Sequence, residues 1–158
     1  MDHLRGIRHL YILAIYALSQ SGNSDESIRA FDKVLEINPQ DSKAWDGKGA
    51  ALYKLNKSDE AIKAFDKALE INPRDSLAWD CKGLALDQLN KSDEAITAYN
   101  KAIEINLQYS YAWDDNGNAL VKLGKSDEAL KAYNKVLEIN PQDSIVLKGK
   151  EILSKQDS

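Results

Sequence analysis

From Ser42 onward the chain copies itself: Ser42 to Asp75 and Ser76 to Tyr109 are identical at 22 of 34 positions without a gap. Trp45, Trp79 and Trp113 are spaced 34 apart, Tyr11 stands one period before the first of them, and Leu147 one period after the last. No other feature constrains the fold as strongly. A unit of this length cannot bury its apolar face alone, so it must stack on its neighbours.

Within one unit, Trp45, Leu52 and Leu55, with small Ala44, Gly49 and Ala51 between them, recur at helical spacing and define a first helix. A short turn follows at Asn56 and Lys57. A second helix then carries Ala61, Ala64, Phe65, Ala68, Leu69 and Ile71 on its apolar stripe and stops at Asn72-Pro73, where the residue before proline is driven out of the α region. Ser42 and Ser58 are the expected N-caps, with Asp59 and Glu60 at the positive end of the second helix dipole. Gly49 costs roughly 1 kcal/mol inside a helix. The expected compensation is close approach to Ala61, repeated by Gly83 with Ala95 and Gly117 with Ala129. Ile15 and Ser27 hold those places in the first unit, so that pair is expected to sit wider or at another angle.

Trp45, Lys48, Gly49 and Leu52, then Ala61 and Phe65, then Pro73, resemble the tetratricopeptide repeat pattern. The later units repeat it with Trp79, Gly83, Leu86, Ala95 and Tyr99, and with Trp113, Gly117, Leu120, Ala129, Tyr133 and Pro141. The resemblance implies an all-α fold, a right-handed α-α superhelix of antiparallel helix pairs. It places repeats at about 8–41, 42–75, 76–109 and 110–143 and a capping helix at 144–155, in a single domain spanning 1–158. Some positions depart from the pattern. Lys48, Lys82 and Asn116 replace an apolar residue, serines 24, 58, 92 and 126 replace an aromatic, and Leu107 replaces the proline, so the third unit's second helix is expected to run on into an aromatic junction with Tyr109 and Tyr111. In the last helix Ile145, Val146, Ile152 and Leu153 are expected to form one stripe, the lysines solvating the rest and the end from Lys155 fraying.

A net charge of −4 offers no basic stripe for nucleic acid. The one cysteine, Cys81, excludes an internal disulfide and fits a cytoplasmic location. His3 and His9 are the only histidines, and no nucleophile, phosphate loop or zinc spacing accompanies them, so neither an enzyme nor a cofactor or metal site is expected. Leu10 to Leu18 is apolar throughout and follows two arginines, as in a secretory signal, but Tyr11, Leu18 and Gly22 hold the register of a first repeat helix, which is the reading preferred here. It is too short to span a membrane.

The first helix of each repeat lines the groove in this family. Carried onto this chain, the groove residues are Lys43, Asp46, Tyr53, Leu77, Asp80, Leu84, Asp87, Tyr111, Asp114 and Asn118. Asp46, Asp80 and Asp114 make an acidic column, joined by Asp87 and Asp115, and Leu77, Leu84 and Tyr111 an apolar island. The expected function is a protein-interaction scaffold that takes a basic, amphipathic peptide and rejects acidic tails. The alternatives are a self-associating solenoid, as a homodimer through Ile12, Leu13 and Tyr16 of the apolar first helix, and the repeat portion of a larger enzyme or sensor.

Overall fold

The computed structural model describes residues 2–19 and 23–156. Among them are nine helices: α1 (Asp2–Ser19), α2 (Ser24–Ile37), α3 (Ser42–Lys54), α4 (Ser58–Ile71), α5 (Ser76–Gln88), α6 (Ser92–Ile105), α7 (Ser110–Lys122), α8 (Ser126–Ile139) and α9 (Ser144–Gln156). Gly22, Asp157 and Ser158 lie outside the described residues, as do the side chains of Tyr16 and Leu18. Each helix packs on the next in sequence, giving four antiparallel pairs and a closing helix in a right-handed superhelix.

The first helix of each inner pair ends on a residue in the left-handed region, Asn56 (φ 57°), Asn90 (φ 60°) or Gly124 (φ 71°). The next backbone N–H then returns to a carbonyl five residues back, Lys57 to Leu52, Lys91 to Leu86 and Lys125 to Leu120, each at 3.0 Å, and so satisfies an orphan acceptor.

The caps differ from expectation. Asp41, not Ser42, caps α3, its Oδ1 accepting from the Ala44 N–H at 3.1 Å, and Asp75 and Asp143 do the same for α5 and α9. Carboxylates suit this place because they also answer the helix dipole. Lys57, not Ser58, precedes α4; Ser58 is buried in the first turn and donates its hydroxyl to Gln88 of the next pair.

The glycine expectation is also corrected. A Cβ on Gly49 would lie 2.7 Å from the Phe65 ring, on Gly83 2.4 Å from Tyr99, and on Gly117 2.6 Å from Tyr133. Each glycine houses an aromatic ring of its partner helix, one turn past the alanine expected to meet it. Those rings, with Phe31, are buried and repeat at the period of the chain. In the first pair α1 turns so that Ala14, rather than Ile15, faces inward. The Ser27 hydroxyl donates to the Ala14 carbonyl at 2.9 Å, and Ile15 is left 59% exposed.

Leu107 does not prolong α6, which ends at Ile105 as its counterparts do. The reason lies in the tryptophans. Trp45, Trp79 and Trp113 donate their indole N–H to the carbonyls of Pro39, Pro73 and Leu107 at 2.9, 3.0 and 3.0 Å. A leucine keeps the carbonyl that the tie needs. The aromatic junction does form, Tyr109 and Tyr111 meeting edge to face at 6.1 Å between centroids. In α9, however, Val146 and Leu153 are buried while Ile145, Leu147 and Ile152 are exposed, so the expected single stripe is split between two faces.

Candidate functional site on the concave face

Helices α1, α3, α5 and α7 touch one another in succession, while the second helix of each pair meets the following first helix. The closer spacing puts the first helices on the inside of the curve. Polar ties set the pitch between pairs. Lys48 reaches Asp32 and Lys82 reaches Asp66, both at 2.6 Å, and Asn116 donates to Asn100 at 2.8 Å and Lys150 to Asn134 at 2.6 Å. Every one of these spans 16 residues back into the preceding pair, which accounts for polar residues where an apolar one is usual in the repeat pattern.

On the inner wall Lys43 and Asn118 are exposed, Tyr53 and Leu84 half-buried, and Leu77 and Tyr111 stand 55% and 70% exposed. Leu84 leans on the buried cluster of Leu86, Ala95 and Tyr99, so the apolar island reduces in solvent to Leu77 and Tyr111. Asn118 accepts from the Tyr133 hydroxyl at 2.7 Å. Asp87 is engaged within the chain, by Lys122 and by the Ser92 hydroxyl at 3.1 Å.

The acids do not form a uniform exposed column. Asp46, Asp114 and Asp115 are half-buried, whereas Asp80 is only 3% exposed. Tyr109 explains the difference: it stands where Asp41, Asp75 and Asp143 cap their helices, and its hydroxyl instead donates to Asp80 Oδ2 at 3.0 Å. Oδ1 of Asp80 and of Asp46 are buried without a hydrogen-bond partner. Burial therefore raises these carboxyls, Asp80 to about 6 despite the Tyr109 bond, and Asp46 to about 7 with the Asp75 charge adding to it. Asp115 is likewise raised to about 7, by burial and then by Asp80. Cys81 is pushed up to about 12 by burial and the same acids, which keeps it a thiol.

Two sets of residues here escape a reading of single units. Asp75, Tyr109 and Asp143 each meet a residue 29 positions earlier, and the lysine ties span 16. Both spacings join one helix pair to the next, and only a search for recurrent spacings between polar residues could have found them.

At the first end of the stack Ile12 is 59% and Leu13 36% exposed. Among the described residues no cluster of His, Cys, Asp or Glu is arranged to hold a metal ion, and no helix is long and apolar enough to cross a membrane.

Profiles of the tetratricopeptide repeat match residues 9–41, 42–75, 64–97 and 116–143. Among solved structures, MamA is similar at TM-score 0.84 and 22% identity, covering 95% of this chain and 81% of that one. YrrB, described as having an unusual peptide-binding site, gives TM-score 0.78 at 22% identity, with 96% and 76% covered. The first repeat domain of Spaghetti (RPAP3), solved with the HSP90 peptide SRMEEVD, gives 0.72 at 28% identity, with 74% and 93% covered. No curated protein sequence matches the chain.

Proposed function

Since the chain belongs to the tetratricopeptide repeat family, we propose that it is a non-enzymatic interaction scaffold whose concave face takes a basic, amphipathic peptide segment. The observation that carries this reading is the chemistry of the inner wall: carboxylates at Asp46, Asp114 and Asp115 beside the exposed Leu77 and Tyr111. Acids on a concave wall concentrate negative potential when ionised, and a cationic guest favours that ionised form, while the bulky apolar groups supply the anchor for an apolar side chain. RPAP3 supports the use of such a face for peptides, although its guest carries two glutamates and an aspartate. Like charge argues against that guest here.

Selection from a random displayed peptide library tests the reading. Enriched sequences should pair lysine or arginine with a bulky apolar residue, and Asp114→Lys should abolish their binding. Asp114 is the better site for that substitution, because an ammonium at the buried Asp80 would report on folding instead. Enrichment of acidic sequences would overturn the proposal.

A second reading is favoured by the exposed Ile12, Leu13 and Ile15 of α1, apolar residues that a twofold copy of the same helix would cover. Light scattering over a concentration series should then show a dimer. A strict monomer at all concentrations removes it.

A further inference from the structure

We propose that the junction between α7 and α9 receives a single lysine or arginine side chain of a partner polypeptide, while Tyr111 and Ile145 hold the apolar residue beside it. The inference rests on the concave-face reading and gives it a definite point of contact.

The junction encloses a cavity of about 150 Å³ lined by Tyr111, Asp114, Val136, Asn140, Asp143 and Ile145, among others. Tyr111 and Ile145 are 70% and 78% exposed, the two largest exposures among the large apolar residues described. They flank two carboxylates. Asp143 has Oδ1 committed to the N–H groups of Ile145 and Val146, each at 3.2 Å, and its charge also raises the Asp114 carboxyl, second only to burial. A long aliphatic stem with a cationic head matches that arrangement, the stem along Val136, Ile145 and the Tyr111 ring, the head between the acids.

The period shows one way in which such a place is filled. Asp46 with Asp75, Asp80 with Tyr109, and Asp114 with Asp143 occupy the same two positions at successive junctions. At the middle one the chain supplies its own donor, the Tyr109 hydroxyl on Asp80, and the carboxylate is sealed from solvent. At the last one Asp143 stands where that phenol stands. Within the chain Asp114 has the Asn118 side chain as a hydrogen-bond partner, but among the described residues no lysine or arginine pairs with either acid, and a cation is left for another molecule to bring.

The test uses the full chain, labelled with ¹⁵N and titrated with n-butylguanidinium, n-butylammonium and, as the uncharged control, n-butanol. Both cations should shift the amides of Asp114, Asn140, Asp143 and Ile145 saturably, and butanol should not. Asp143→Asn retains an N-cap acceptor and should weaken the cations about fivefold. Tyr109→Asp restores the residue found at the other junctions and should open a new saturable site around Asp80. Equal shifts from butanol, unchanged binding in Asp143→Asn, or no new site in Tyr109→Asp would each overturn the proposal. Library peptides that bind the groove while leaving these amides unmoved sink this inference alone. Cations that bind here while no basic peptide does sink the groove reading alone.

Discussion

The first helix pair and the three inner pairs bury the same aromatic against different glycines. Phe65, Tyr99 and Tyr133 lie over Gly49, Gly83 and Gly117 of their own pair, whereas Phe31 has Ile15 in that position and meets Gly47 of the next pair, where an added Cβ would fall 2.1 Å from its ring. α1 has turned to present Ala14, and Ser27, in the place that alanine holds elsewhere, donates its hydroxyl to the Ala14 carbonyl. The ring can be housed by either flanking helix, and the position of the missing side chain decides which. The acid of the inner wall follows the same division, because Ile12 holds in the first pair the place of Asp46, Asp80 and Asp114.

Exchanging the two solutions should produce the largest effect. Gly49→Ile forces a branched side chain into the Phe65 ring and should cost at least about 3 kcal/mol, while Ile15→Gly, at an exposed site, should cost only about 1 kcal/mol of helix propensity. Urea denaturation followed by circular dichroism measures both. Equal losses would erase the distinction between the pairs.

Next in size is Gly47→Ala, expected to destabilise by about 2 kcal/mol through Phe31. Its effect should vanish in a Phe31→Leu background, since the shorter side chain leaves room. Persistence of the loss would show that Gly47 is needed for some other reason.

The inner acids predict a smaller, pH-dependent effect. Asp46, Asp80 and Asp115 sit at about 7, 6 and 7 in the folded chain, above the ordinary 3.8. Between those values the folded state keeps protons that the unfolded chain has released, so the stability they confer is complete below the ordinary value and is lost as pH rises through 6 to 7. The melting temperature should fall between pH 5 and pH 8, by an amount equivalent to about 1–2 kcal/mol from the sealed Asp80 alone. Asp80→Asn should flatten that slope. Ile12→Ala, in the pair without the acid, should leave it unchanged.

Leu107→Pro should change least, within about 0.5 kcal/mol. Asn106 is already extended (φ −139°, ψ 94°), as a residue before proline must be, and the Trp113 tie uses only the carbonyl. A large loss in thermal melting would mean that the leucine side chain itself holds the junction.

Periodicity alone determined the helix pairs, their boundaries to within a residue or so, the recurrent tryptophans and the candidate inner wall, because apolar residues at helical spacing and a fixed repeat leave little freedom in secondary structure. Which ring a glycine houses, that Asp80 is sealed while Asp114 faces a cavity, and that Ile145 and Val146 face opposite ways were decided only in the tertiary structure. Equivalent positions in a repeat share a backbone environment, but burial and charge depend on what the start of the next helix pair brings against them. A single exchange there, Tyr109 for aspartate, changes a half-open acid pair into a closed one.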